Sequence, residues 1–255
     1  MASSALTKLT VAHPVRYTPP EPPRYKPEPS ASLVSLTNLV SYWKLDEASG
    51  NALDAHGTNT LTDTNTVTSA AGKIGDSRHF TRTVPEYFTI ADNASLSAPA
   101  GTSFTFSCWI YPDSRATSES ILSKGTTDFL LAISSAAGNI QWTIGDGSSA
   151  FDTALTITSA ISADATWFHV VCWYNADNNE VGMSINNGSP STRTYGGAAR
   201  ANSTNPFRIG TQAENSANAF DGRIDEVGFW KRVLTVAERT SLYNGGNGLA
   251  YPFTG

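Results

Sequence analysis

The sequence is poor in the features that mark several classes of protein. It contains two cysteines in 255 residues, Cys108 and Cys172, which is too few for a disulfide framework. Each lies beside a tryptophan in a strand-like stretch, so we expect two free, buried thiols. No apolar run approaches the length of a transmembrane helix, and residues 1–13 lack the continuous apolar core of a secretory signal. The sequence therefore predicts neither a membrane span nor a signal peptide.

Positive charge and catalytic motifs are also scarce. The chain has 17 Lys and Arg against 22 Asp and Glu, for a net charge of −5, so we expect no general affinity for nucleic acid or anionic membranes. It has no Gly-x-Ser-x-Gly, His-Glu-x-x-His or phosphate-binding loop. A Glu-x-Asp-x-Glu strand, which sets glycosidase carboxylates on one face, is missing as well. Asp225 and Glu226 are neighbours and would point to opposite faces of a strand. We therefore expect no enzymatic activity.

Proline is concentrated near the N terminus, where residues 14–29 hold seven of the thirteen prolines. Such a segment is extended and unsuited to the interior of a sheet. Basic and aromatic side chains alternate within it, namely Arg16, Tyr17, Arg24, Tyr25 and Lys26. A stiff, solvated spacer is one interpretation. We favour the other, in which residues 1–36 form an arm that docks on a partner.

Residues 37–255 predict one all-β domain. Residues 104–111 alternate between apolar and polar, and paired runs at 129–145 and 167–186 are typical of hairpins. About a dozen short strands without intervening helices favour an antiparallel two-sheet sandwich.

The chain closes with a predicted strand and one short helix. In residues 220–230, alternation places Ile224, Glu226, Gly228 and Trp230 on one face and the intervening residues on the other. Thr235 and Glu238 then form a Thr-x-x-Glu capping box that begins a helix. Its inward-facing positions are Val236, Leu242 and Tyr243, and Gly245-Gly246 ends it.

The order of these segments resembles the laminin-G-like, concanavalin A-like jelly-roll superfamily over residues 38–250. The segments that carry the resemblance are 39–46, 106–110, 121–125, 167–171, 184–188, 207–210, 220–230 and 234–243. The resemblance implies two curved antiparallel sheets packed as a jelly roll. Its members include carbohydrate-binding modules, adhesion domains, pentraxin-like proteins and virion proteins, so it points to a fold rather than to one function.

The resemblance also implies a possible role for calcium, which relatives bind through carboxylates and loop carbonyls. The matching acidic positions are Asp46, Asp54 and Asp225. Alternatively, Asp54 caps a turn and Asp225 pairs with Arg223 or a neighbouring base. The alternative is slightly favoured, and the sequence leaves both open.

An aromatic surface is the second candidate site. If the alternate residues of the two central strands face the core, then Trp109, Tyr111, His169 and Trp173 face outward as an exposed strip. Flat rings beside hydrogen-bonding groups suit glycans and protein partners equally. A one-residue slip in phase would bury the strip instead.

These observations favour a non-enzymatic structural and binding protein. We expect a virion component, such as a phage head decoration or fibre protein, that is anchored to other virion proteins by its arm and displays a jelly roll able to bind glycans. It would be made in the host cytoplasm and reside in the virion. The alternative is a carbohydrate-binding or adhesion module of a bacterial surface protein. A homo-oligomer is compatible with the sequence, which leaves the oligomeric state open.

Overall fold

A computed structural model describes residues 1, 34–115, 118–146, 153–197, 200, 202–212 and 218–254. The predicted docking residues of the arm, Arg16, Tyr17, Arg24, Tyr25 and Lys26, lie outside the described residues. Within the described part of the chain, no helix is both long enough and apolar enough to cross a membrane.

The described residues form fifteen strands and two α-helices. The strands are β1 Leu39–Trp43, β2 Thr62–Thr64, β3 Thr68–Ala71, β4 Asp76–Phe80, β5 Tyr87–Ile90, β6 Phe104–Pro112, β7 Glu119–Ser123, β8 Phe129–Ile133, β9 Ile140–Ile144, β10 Thr153–Ile157, β11 Phe168–Asn175, β12 Glu180–Ile185, β13 Ser191–Thr194, β14 Phe207–Ile209 and β15 Gly222–Trp230. The helices are α1 Gly125–Asp128 and α2 Val236–Tyr243, and short 3-10 turns occur at Ala94–Leu96 and Asn244–Gly246.

The strands build two antiparallel sheets. Sheet I has the order β13-β12-β11-β6-β15-β4-β3, and β1 also pairs with β15. Sheet II has the order β10-β9-β8-β7-β14-β5-β2. The predicted sandwich with one short C-terminal helix is confirmed, as are the hairpins β8–β9 and β11–β12. The single helical turn α1, between β7 and β8, was not predicted.

The main core lies between the sheets and centres on phenylalanine rings. Phe106 stacks on Phe229 at 4.5 Å between ring centroids, and it packs against Phe129 at 5.1 Å and Phe207 at 5.8 Å. Both thiols, on β6 and β11, are free and buried as predicted. Burial raises the pKa of Cys108 to about 12, so this thiol stays protonated and unreactive.

A second, smaller apolar cluster lies on the face of sheet I that is turned away from sheet II, which we call the outer face. Its buried members are Val34, Leu39, Tyr42, Trp230, Leu234, Leu242 and Phe253. They come from the segment just before β1, from β1, from the end of β15 and the loop that follows it, from α2 and from the C-terminal segment. Part of sheet I is therefore covered by protein on both faces.

A β-bulge interrupts β15 at its acidic pair. The register between β15 and β6 shifts between Asp225 and Gly228, and Glu226 has φ +51°. Ile224 faces the main core before the bulge, and Val227 and Phe229 face it afterwards. The predicted alternation, which placed Glu226 with Ile224, is therefore wrong beyond Asp225, because the inserted residue resets the phase.

Glycine is required just after the bulge. A Cβ on Gly228 would lie 2.4 Å from the ring of Trp230 and 3.0 Å from the ring of Tyr42. The two rings pack edge to face, 6.3 Å apart, in the second cluster. The missing side chain therefore leaves room for both rings beside the strand.

Helix α2 begins with the predicted capping box, and Glu238 is its main anchor. This carboxylate accepts hydrogen bonds from the backbone N–H groups of Thr235 (2.9 Å) and Ser35 (3.0 Å), and from both terminal nitrogens of Arg232 (2.8 and 2.6 Å). Leu242 faces inward as predicted. The expectation for Val236 is wrong: it is 68% exposed, because it occupies the solvent side of the first turn. The helix ends as Asn244 adopts the left-handed conformation.

We expect Glu238 to make stability depend on pH below about 4.5. Burial alone would raise the pKa of this carboxyl, but its donors from Arg232, Thr235 and Ser35 outweigh burial and lower it to about 2. The stabilisation is therefore complete above the ordinary glutamate pKa and is lost as pH falls through the folded-state value. Replacing Glu238→Gln should lower the free energy of unfolding near neutral pH, and the gap to the parent protein should shrink between about pH 4.5 and 2.

The measurement is chemical denaturation at a series of pH values. The control is Glu180→Gln on β12, which makes the same change of charge away from α2. A gap for the Glu238 variant that stays constant down to about pH 2 would contradict the assignment.

Candidate functional site

The outer face of sheet I contains the predicted aromatic residues. In the pairing of β6 with β11, His169 lies opposite Trp109, and Trp173 lies opposite Thr105. The alternate residues of these strands, including Phe106 and Cys172, belong to the main core. The predicted phase is therefore correct, and the aromatic side chains project from the outer face.

Three of these aromatic residues are nevertheless covered. Trp109, His169 and Trp173 are 3%, 1% and 4% exposed. The ring of Tyr243 stacks on Trp109 at 5.9 Å, and the guanidinium of Arg239 lies 4.7 Å from the ring of Trp173. The expected exposed strip is wrong for these three positions, because helix α2 packs over them.

The covered part of the face also holds a neutral histidine. The Nε2 atom of His169 lies 2.9 Å from the hydroxyl oxygen of Ser107. Burial lowers the pKa of His169 to about 3, so the imidazole is uncharged at neutral pH. This side chain acts in packing beneath α2.

The remaining part of the face stays open and brings together four half-buried side chains. Trp167, just before β11, packs against Tyr111 with 5.3 Å between ring centroids. Arg223 lies opposite Tyr111 on one side and His79 on the other. We call Trp167, Tyr111, Arg223 and His79 the open row. It runs transversely across β6, β15 and β4 and exposes part of each side chain.

Polar groups complete the open row. The guanidinium of Arg223 lies 4.6 Å from the centre of the Tyr111 ring, a favourable cation–π arrangement. The Nε2 atom of His79 lies 2.6 Å from the Oδ2 atom of Asp113. The row thus presents two flat rings beside hydrogen-bonding groups.

Of the open row, the sequence analysis selected only Tyr111 as a site residue. The alternation of β11, extended back by one residue, places Trp167 on the outer face, so the sequence of this one strand was enough to predict its position. The positions of Arg223 and His79 follow from cross-strand register, which alternation within one strand does not specify. The open row could therefore be assembled only from the sheet pairing.

The acidic pair at the bulge is buried. The hydroxyl of Tyr42 donates to the Oε2 atom of Glu226, and the Oδ2 atom of Asp225 accepts from the backbone N–H groups of Lys73 (2.7 Å) and Ile74 (3.0 Å). Burial raises the pKa of Asp225 to about 8 and that of Glu226 to about 7. The pair therefore holds at least one proton near neutral pH.

The three acidic residues predicted to bind calcium have separate partners. Asp54 accepts from four backbone N–H groups, that of Tyr42 on β1 and those of His56, Gly57 and Asn59 in its own loop. Asp46 pairs with Lys44 at 2.9 Å. Asp225 bonds to the backbone at Lys73 and Ile74, and not to Arg223 as the alternative supposed.

The predicted calcium set therefore does not fit a single ion. Among the described residues, no group of three or more His, Cys, Asp or Glu side chains is arranged to hold a metal ion. Asp54 caps a turn, as the alternative held. Calcium binding by this protein stays a prediction.

Among the described residues, two surface clefts are formed away from the open row. One of about 490 Å³ is lined by Gly101, Thr102, Ser103, Asn175, Asp177, Lys231, Arg232 and Val233. The other, of about 390 Å³, is lined by Lys44, Asp46, Glu47, Leu53, Asp54 and Ala55. Neither lining includes an aromatic ring from the described residues, so neither combines stacking with hydrogen bonding as the open row does.

Comparison with known proteins gives a family match and several similar folds. A family model described as the concanavalin A-like lectin/glucanases superfamily matches residues 82–238. A search of curated protein sequences finds no match.

Among solved structures, the binding domain of Paraclostridial mosquitocidal protein 1 is 17% identical with a TM-score of 0.66, covering 82% of this chain and 52% of that one. Domain 4 of AbnA, an extracellular GH43 arabinanase from Geobacillus stearothermophilus solved with arabinotriose, is 18% identical with a TM-score of 0.59, covering 80% and 97%. The botulinum neurotoxin serotype G binding domain is 15% identical with a TM-score of 0.64, covering 81% and 50%. The chain spans about half the length of the two toxin domains, and these identities establish the fold alone.

We expect the hydrogen bond from Tyr42 to Glu226 to stabilise the bulge. Tyr42→Phe would leave a buried carboxyl without its side-chain donor, at a cost of about 1–3 kcal/mol in the free energy of unfolding. Tyr251→Phe is the matched control, because its hydroxyl bonds to the Nδ1 atom of His56 at 3.0 Å in a half-buried position. Urea denaturation measures both. Equal losses in the two variants would contradict a special role for the buried bond.

Proposed function

The chain belongs to the concanavalin A-like lectin/glucanase superfamily, and we propose that it is a non-enzymatic binding protein whose open row recognises a glycan. The observation that carries this proposal is the juxtaposition of Trp167 and Tyr111 with Arg223 and His79 on an uncovered part of sheet I. The similar domain of the arabinanase was solved with a bound arabinose oligosaccharide, which agrees with glycan recognition on this fold.

The chemistry of the row suits a sugar. The C–H face of a pyranose or furanose ring packs on an aromatic ring, and its hydroxyls exchange hydrogen bonds with neighbouring polar groups. Trp167 and Tyr111 supply the rings, while Arg223 and His79 supply the polar groups. Because the side chains stand on adjacent strands of a sheet, their spacing is fixed before a ligand arrives, which reduces the entropy cost of binding.

The acidic pair supports a binding role rather than catalysis. A glycosidase needs two carboxyl groups on opposite sides of an accessible sugar bond. Asp225 and Glu226 are 0% and 2% exposed, and their hydrogen bonds go to the backbone at Lys73 and Ile74 and to Tyr42. They stabilise the junction between β15 and its neighbours.

The test is glycan-array screening of the full chain, followed by affinity measurement on the best ligand. Trp167→Ala and Tyr111→Ala should each weaken binding by about tenfold or more, because each removes a stacking ring. Tyr87→Ala is the matched control, since Tyr87 is a half-buried ring under Arg208 on sheet II. Unchanged affinity in both open-row variants, with the ligand still bound, would place the glycan site elsewhere.

We propose in addition that the protein is a virion component docked by its arm on other virion proteins. Seven prolines in residues 14–29, interleaved with basic and aromatic side chains, support a docking role. The bacterial surface adhesion module remains the alternative, and glycan recognition by the open row is compatible with either setting.

Replacing Arg16, Arg24 and Lys26 together by Ser in the full chain tests the docking role. We expect the triple variant to lose co-sedimentation with virion shells and to keep the parent affinity for glycan. A matched control replaces the three body residues Lys44, Arg193 and Lys231 by Ser. Co-sedimentation that is unchanged by the arm substitutions would contradict arm docking, and binding only to bacterial surface glycan would favour the adhesion module.

A further inference from the structure

Arg223 is a cation without a carboxylate partner in the open row. Its Nη1 atom donates to the carbonyl oxygen of Ala71 at 3.3 Å. No described residue accepts a hydrogen bond from its Nη2 atom or forms an ion pair with it. Several other arginines on the body are paired, such as Arg115 with Asp164 at 2.6 Å and Arg232 with Glu238.

The geometry of Arg223 prepares it for a planar anion. Its guanidinium carbon lies 4.6 Å from the centre of the Tyr111 ring, and this contact restrains the position of the guanidinium. A guanidinium held in this way pairs with a carboxylate through two parallel hydrogen bonds, an arrangement that lysine does not reproduce. Asp113, which contacts the row, is bonded to His79 at 2.6 Å.

Sheet II offers an informative comparison. Arg208 lies 4.5 Å from the ring of Tyr87 and donates to the carbonyl oxygen of Gln212 at 3.2 Å, so its local environment matches that of Arg223. Its cross-strand neighbours are Thr89 and Ser123. The stacked arginine of sheet I differs because a second ring, Trp167, continues the row beyond Tyr111. Of these two arginines, Arg223 is therefore the one that combines an unpaired guanidinium edge with a second aromatic ring in the same row.

We propose that the glycan bound at the open row carries a carboxylate, and that Arg223 pairs with it. This inference rests on the proposed function of the same surface. The sugar ring packs against Trp167 and Tyr111, and its carboxylate lies beyond Tyr111 on the side of Arg223. The ligand class is an acidic sugar, either a uronic acid or a sialic acid, since both present the same planar group beside a ring.

The experiment uses the full chain and two matched ligand pairs. One pair is an oligogalacturonate and its methyl ester, and the other is sialyllactose and its methyl ester. In each pair the second member lacks the free carboxylate. We expect at least one acidic member to bind about tenfold or more tightly than its partner, and the pair that shows the difference identifies the source of the carboxylate.

Variants then assign the preference to one side chain. Arg223→Gln should abolish the difference between acidic and neutral members, while residual binding to the neutral member persists through the rings. Arg223→Lys should retain only part of the difference in affinity between acidic and neutral members, because an ammonium does not form the two parallel hydrogen bonds of a guanidinium. Arg208→Gln, the matched control, should leave both affinities unchanged. Thermal unfolding of each variant verifies that the domain remains folded.

The outcomes separate this inference from the proposed function. Equal binding of both members of each pair, or an acidic preference that survives Arg223→Gln, overturns the carboxylate inference while glycan binding stands. If the parent protein binds no glycan on the array or in either pair, the proposed function itself fails.

Discussion

The bulge in β15 is the constraint on which the rest of this structure depends. β15 pairs with β6 along its length, with β4 in its first part and with β1 in its second. Glu226, in a left-handed backbone conformation, marks the change of neighbour. Without the inserted residue, Val227 and Phe229 would leave the core and Trp230 would enter it. The cost is a buried acidic pair, which is stabilised by Tyr42, by backbone N–H groups and by retained protons.

A consequence of this phase change is the division of the outer face into two parts. Beyond the bulge, Trp230 projects outward and forms the base of the second cluster, on which α2 and the C-terminal segment pack. Before the bulge, Arg223 projects outward beside Tyr111 and is half-buried. The same strand therefore supports a covered region that contributes stability and an open region that is available to a ligand. Glu238 helps to set the boundary between the covered and the open region, because it anchors the first turn of α2 to Arg232 and to the backbone at Ser35.

This division gives the aromatic side chains two different roles. Under α2, the ring of Tyr243 packs on Trp109 and the guanidinium of Arg239 packs on Trp173, so these two indole rings act as packing surfaces. In the open row, the ring of Tyr111 is stacked on one side by Arg223 and flanked by Trp167. The fold alone is shared by toxin binding domains and an arabinanase domain, so it does not decide between functions. The binding proposal rests instead on which rings the C-terminal helix leaves uncovered.

The sequence by itself determined the features that are encoded locally. Alternation in β6 and β11 identified the core side of both strands, the Thr235–Glu238 capping box located the start of α2, and the order of segments identified the sandwich and its superfamily. It did not determine which of Trp109, Tyr111, His169 and Trp173 would be accessible, nor that Glu226 would break the alternation. These depend on how strands pair across the sheet and on where a helix distant in sequence packs. Local periodicity is set by backbone geometry within a few residues. Three features arise only when distant segments meet: the burial of the aromatic rings under α2, the register at the bulge, and the row formed by His79, Arg223 and Tyr111.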